Sequence, residues 1–233
     1  MNEPGSPRFD APNTLYVFVD YISHNAYLAW ARLPALCARH GLSLEPVPVL
    51  FAALLQRHGQ RGPAEVAPKR EWMLANVLRK AREDGTPIRP PASHPFNPLA
   101  ALRATAAVDG RERMLLADRL FRATWAESRP VHESGEVLRL AEETGLDVEN
   151  LGTRIVSETV KQRLRGFTEA AIAAGVFGVP TMRVNGENFF GYDDLSWLDR
   201  LLSGDEAARI DADAVAAWAE VMPSAQRRVP DAS

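Results

Sequence analysis

Ser23 stands between an apolar run, Thr14 to Asp20, and a helix-forming segment that opens with His24-Asn25-Ala26-Tyr27. A hydroxyl at such a junction faces the first-turn amides and the positive end of a helix dipole. A thiolate from a ligand placed there would gain a hydrogen bond and a favourable field, and its pKa would fall. The same hydroxyl suits a plain N-cap, and the segment alone leaves both readings open. His24 offers an imidazole for acid–base work, or is a surface histidine of the first turn. Dithiol chemistry is excluded, because positions 23 to 26 are Ser-His-Asn-Ala and Cys37 is the only cysteine. Cys37 reads as filler on the buried face of its helix.

Three further places carry candidate chemistry. In Val179-Pro180-Thr181 a proline leads into a short apolar run. A cis bond there would turn the Val179 amide and carbonyl towards a site, where an extended peptide can pair with them. A trans proline at a strand entrance is the equal alternative. Gly191-Tyr192-Asp193-Asp194 precedes a helix, so free amides can bind a carboxylate and Asp193 can meet an ammonium, or the acids are simple caps. In the middle of the chain, Lys69 suits an anionic ligand and Asn97 a polar substrate atom; solvated surface is the plain reading of both. No Cys/His cluster, His-Glu-x-x-His, phosphate loop or Gly-x-Ser-x-Gly elbow occurs, so metal and serine-hydrolase chemistry have no support.

These positions must be held by a fold. The chain has 233 residues, 46% of them apolar, and a formal net charge of −3, enough for a substantial core and without a basic stripe for nucleic acid. No run approaches the ~20 apolar residues of a membrane span, and no secretory leader is read, so a cytoplasmic location is expected. Residues 1–13, with three prolines, read as a flexible leader. Strand Thr14–Asp20, a helix from His24 to His40 stopped by Gly41, and strand Leu44–Leu50 form a βαβ unit. Pro46 and Pro48 predict an edge position for the second strand.

Helical periodicity follows, over Glu71–Glu83, Pro98–Val108, Glu112–Ser128, Ser134–Thr144 and Glu149–Thr168. Asn185-Gly186 then joins two short strands, the strongest local hairpin signal. A helix from Asp193 or Asp194 to Leu202, a tail helix from Ala212 to Val221 and a polar, disordered end complete the chain. The expected fold is α/β, thioredoxin-like, with a large helical domain inserted between βαβ and ββα halves. Its parts are residues 14–55 with 168–203, the insertion 56–167, and a C-terminal helix and tail 204–233.

Several pieces together resemble the 2-hydroxychromene-2-carboxylate isomerase family and the related kappa-class glutathione transferases, within the DsbA-like thioredoxin superfamily. They are Asp20-Tyr21-Ile22-Ser23 followed by Tyr27-Leu28, Gly175 to Thr181, and the Phe190-Gly191-x-Asp193 corner. Pro68-Lys69, Gly85-Thr86-Pro87, Pro95-Phe96-Asn97 and Arg122-Ala123-x-Trp125 support them. The resemblance implies glutathione as cofactor, with Ser23 facing its sulfur, Val179 and Pro180 pairing with its backbone, and Asp193 with Asp194 at the γ-glutamyl end. It implies His24, Asn25, Lys69 and Asn97 as substrate-side candidates, a small aromatic-pathway acid as substrate, and a homodimer as one state. The implied reaction is thiol addition and elimination by an isomerase. Kappa-like conjugation and a catalytically silent binding protein are the alternatives. The chain departs from the family at two points: His24-Asn25 replaces Pro followed by an aromatic, and Tyr192 and Asp194 flank Asp193.

Overall fold

The computed structural model describes residues 7–222. Strand β1 (Thr14–Val19) carries Leu15, Val17, Phe18 and Val19 with no exposed surface, so it is central by composition and by position. It lies between β2 (Ser43–Pro48), with which it runs parallel, and β3 (Thr181–Val184), with which it runs antiparallel. Strand β4 (Glu187–Phe190) closes the order β2-β1-β3-β4. The two prolines of β2 are accommodated at an edge, where a missing N–H breaks no second ladder. Asn185 (φ 51°) and Gly186 (φ 87°) take the left-handed conformations of a tight β3–β4 turn, which only small or Asx residues reach at low cost.

Helix α1 (His24–His40) ends where Gly41 adopts φ 63° and Leu42 N–H returns to the Cys37 carbonyl. Cys37 is buried, and burial pushes its thiol up to about 11, so it is packing and not a nucleophile. Between β2 and β3 come α2 (Phe51–Arg57), α3 (Ala67–Asp84), α4 (Leu99–Ala107), α5 (Gly110–Trp125), α6 (Ser134–Glu143), α7 (Val148–Ile155) and α8 (Glu158–Ala173). After β4 come α9 (Leu195–Leu202) and α10 (Ala212–Val221), the latter exposed along its length.

Several expectations need correction. The helix read over Glu149–Thr168 is two helices: Ser157 breaks it, its Oγ accepting from Val160 N–H at 3.3 Å as the cap of α8. The short α2 was not foreseen. The junctions drawn at 55/56 and 167/168 fall inside α2 and α8. The leader is not wholly free: Phe9 is buried, its ring edge-on to Phe18 at 4.8 Å and to Tyr16 at 5.4 Å. The expected disordered end falls mostly on residues 223–233, outside the described residues. Among those described, no helix is long and apolar enough to cross a membrane.

The helices after β2 are fastened to the first βα unit by polar tips of buried aromatics. Tyr21 Oη shares a 2.6 Å hydrogen bond with Thr105 Oγ1, Tyr27 Oη donates to the Pro87 carbonyl at 2.6 Å, and Trp30 Nε1 donates to Asp118 at 3.1 Å. Trp125 Nε1 donates to the Tyr21 carbonyl at 2.9 Å, while Trp30 stacks on Phe121 with centroids 5.6 Å apart. Each bond satisfies a group that burial would otherwise penalise, so the turn before α1 inherits the rigidity of two layers.

Candidate functional site

Asp20, the residue that ends the apolar run of β1, anchors the turn. It is 1% exposed, and its two carboxylate oxygens accept from Ile22 N–H at 3.1 Å and Phe51 N–H at 3.0 Å. Burial pushes its pKa up to about 7, against the lowering effect of those two amides. Its carbonyl accepts from Ser23 N–H at 3.1 Å. One residue thus ties the turn to the start of α2. An acid directly after a buried strand was the available signal, and no role was assigned to it.

Ser23 is the N-cap of α1 with extended backbone (φ −95°, ψ 111°). Its Oγ accepts from Ala26 N–H at 3.2 Å and donates a long 3.4 Å hydrogen bond to the Val179 carbonyl. The N-cap reading of Ser23 is met by the first of these bonds. The Val179-Pro180 bond is cis, and Val179 N–H makes no hydrogen bond among the described residues. Ser23 and Val179 are the pair of predicted residues that the structure brings into direct contact. Gly178 lies next to them, and a Cβ there would stand 2.7 Å from Phe190 Cε2, so the ring would have to shift. Phe190 in turn packs on Phe177 at 4.6 Å, both about two-fifths exposed, beside the Val179 backbone.

The structure does not leave His24 on the surface. It is 6% exposed, wedged edge-on against Trp125 at 5.7 Å, with Nδ1 buried and unpartnered. Burial, then the nearby His94 and Lys80, lowers its pKa to about 4, so the ring is neutral at pH 7. Asn25 is half-buried and makes no side-chain hydrogen bond among the described residues. His94 donates from Nε2 to the Ile22 carbonyl at 3.1 Å and lies 5.8 Å from Trp125. Trp125 and the two imidazoles thus cluster beside the turn.

At the far corner Asp193 is already engaged. Both of its oxygens lie 2.8 Å from Lys80 Nζ, a residue of α3 that the sequence did not single out. Lys80 also sits 4.8 Å from the Tyr192 ring centroid, and Tyr192 Oη donates to Asp84 while accepting from Arg32 Nη1 at 3.1 Å. The Asp194 carboxylate accepts from Phe190 N–H at 2.9 Å across the corner. Lys69 is exposed in the first turn of α3, about 16 Å along the helix from Lys80. Asn97 is exposed, and its Oδ1 accepts from Leu99 N–H at 3.0 Å at the start of α4.

A parallel βαβ opening, a cis proline facing the first helix and a closing ββα unit define the thioredoxin class of folds, here with a long helical connection. Within that class the chain belongs to the DsbA-like family: residues 14–203 match the family described as a DSBA-like thioredoxin domain. It is 31% identical over 193 residues to a 2-hydroxychromene-2-carboxylate isomerase of Sphingobium xenophagum, covering 81% of this chain and 97% of that one. Glutathione S-transferase kappa 1 of Rattus norvegicus is 27% identical over 207 residues, 82% of this chain and 92% of the relative. A solved 2-hydroxychromene-2-carboxylate isomerase superposes with a TM-score of 0.76 at 23% identity, over 82% of this chain and 95% of that one. The chain is thus placed in the branch that holds these isomerases and the kappa-class transferases, as its motifs implied.

Proposed function

We propose that this protein is a glutathione-dependent isomerase acting on an unsaturated aromatic-pathway acid of the 2-hydroxychromene-2-carboxylate kind. The observation that carries the reading is Ser23 Oγ at the head of α1, opposite the Val179 carbonyl, in a chain whose one cysteine is buried. When bound, glutathione supplies a sulfur nucleophile that also departs readily, as an addition–elimination about a double bond requires. The residues present fit it. Ser23 turns its hydroxyl from Val179 to the sulfur, and the dipole of α1 favours the thiolate. Val179 offers an N–H without a partner among the described residues to an extended peptide backbone. The γ-glutamyl end is a zwitterion, and Asp193 with Lys80 presents one charge of each sign to it.

Trp125, His24 and His94 form the wall beside the sulfur position, and the neutral His24 leaves the thiolate without a cation at that point. The substrate-side roles of Asn25, Asn97 and Lys69 belong to the same proposal. So do the division into a thioredoxin-like unit and helical insertion, a cytosolic location and a homodimer. Kappa-type conjugation is the second reading, favoured by the relative named for that activity and by the altered turn at His24-Asn25.

The test is turnover of 2-hydroxychromene-2-carboxylate with and without glutathione, alongside the ultraviolet titration of bound thiolate. Ser23→Ala should lower glutathione-dependent turnover at least tenfold and raise the bound thiol pKa, at a stability cost of about 1 kcal/mol for the lost cap. Equal rates and equal thiol pKa in the two proteins would remove Ser23 from the chemistry. An adduct released from an aryl halide, with no isomerisation, would select the transferase reading.

A further inference from the structure

Between α2, the start of α4 and α8 lies a cleft of about 690 Å³ that none of Ser23, Val179 and Asp193 lines. Leu50, Ala53, Leu99, Leu164 and Ile172 give it an apolar floor. Around that floor stand Arg57, Arg103, Lys161 and Arg165, against one acid, Glu169. The α8 members recur every three or four residues, so a single face of that helix supplies both hydrocarbon and charge. Lys161 and Arg165 are loosely paired with Glu158, at 3.7 and 3.9 Å. Arg57 and Arg103 have no ion-pair partner among the described residues, and Arg103 Nε is buried without any hydrogen bond.

A buried guanidinium N–H without an acceptor is costly, and a carboxylate satisfies it with a two-point fork. The floor asks for a hydrocarbon body, and the volume is that of ordinary small-molecule sites. We infer that this cleft binds an amphiphilic organic carboxylate, its head on Arg103 and its tail along Leu164 and Ile172. The location separates it from the proposed glutathione site. The cleft is walled by α2, α4 and α8 and shares no lining residue with the path from Ser23 past Val179 to Asp193. The inference therefore does not rest on the reading above.

Calorimetry of the intact protein with decanoate, and with decylammonium as a probe of opposite charge, tests it. One decanoate should bind per chain and decylammonium should give no heat. Arg103→Gln should weaken decanoate roughly tenfold or more, as the loss of a charge-assisted hydrogen bond does. Ala53→Trp, which fills the cleft and leaves its charges, should abolish the binding. Absence of decanoate binding, equal binding of the two probes, or unchanged affinity in either folded variant overturns the inference.

Discussion

Replacing Asp20 by Asn isolates the group that holds the turn before α1. In the native protein the carboxyl has its pKa raised from 3.8 to about 7, mainly by burial. A group with a raised native pKa contributes most below its unfolded value, and that contribution is lost as pH rises through the native one. Stability should therefore fall between about pH 4 and pH 7, as the unfolded chain ionises and the native protein keeps its proton. Three pH units at about 1.4 kcal/mol each set an upper limit of roughly 4 kcal/mol on the loss. Asn has no such titration, but its amide nitrogen faces one of the two N–H donors, Ile22 or Phe51, at a cost of about 1–3 kcal/mol. The variant should be the weaker protein at pH 4.5 and should close the gap, or overtake, by pH 7.5. Urea unfolding followed by circular dichroism at the two pH values measures the difference. Parallel stabilities, with the gap constant to about 0.5 kcal/mol, would show that Asp20 titrates normally and refute the burial argument.

Lys80→Met tests the far corner. Because the pair with Asp193 is largely solvent-facing on the acid side, stability should change by less than about 1 kcal/mol. Glutathione affinity should fall several-fold, while that of 4-aminobutyryl-cysteinyl-glycine, which lacks the α-carboxylate, should not; tighter glutathione binding would mean that Lys80 competes for Asp193. Gly178→Ala should displace the Phe190 ring, at about 1 kcal/mol, and weaken peptide binding at Val179. Adding Phe190→Ala should recover the stability by removing the clash, and a thermal melt showing no recovery would place the strain elsewhere.

What could be read from the residues follows a physical division. Local signals survived folding: Gly41 stops α1, Asn185-Gly186 turns the hairpin, Pro46 and Pro48 hold β2 at the edge, and α10 spans Ala212–Val221 as its pattern requires. Ser23 and Val179 were each singled out as strand–turn junction residues, but the bond between them appears only in the folded chain. Residues defined by a distant partner were not legible. Lys80 looks like any helix-surface lysine until Asp193, 113 positions later, meets it. His24 carries no mark of its burial, which Trp125 supplies from another helix. Phe9 was passed over in a proline-rich leader because only Tyr16 and Phe18 give it something to cover. The break at Ser157 was visible as a Ser ahead of Glu158 and Val160, yet the helical period ran through it.

The inaccessible, protonated Cys37 has a consequence for life under oxidative stress. With its one thiol buried and protonated, the protein has no exposed cysteine with which to form a mixed disulfide. Under the proposed reading its output tracks the cellular supply of reduced tripeptide, and no thiol of the protein itself has to be reduced before activity returns.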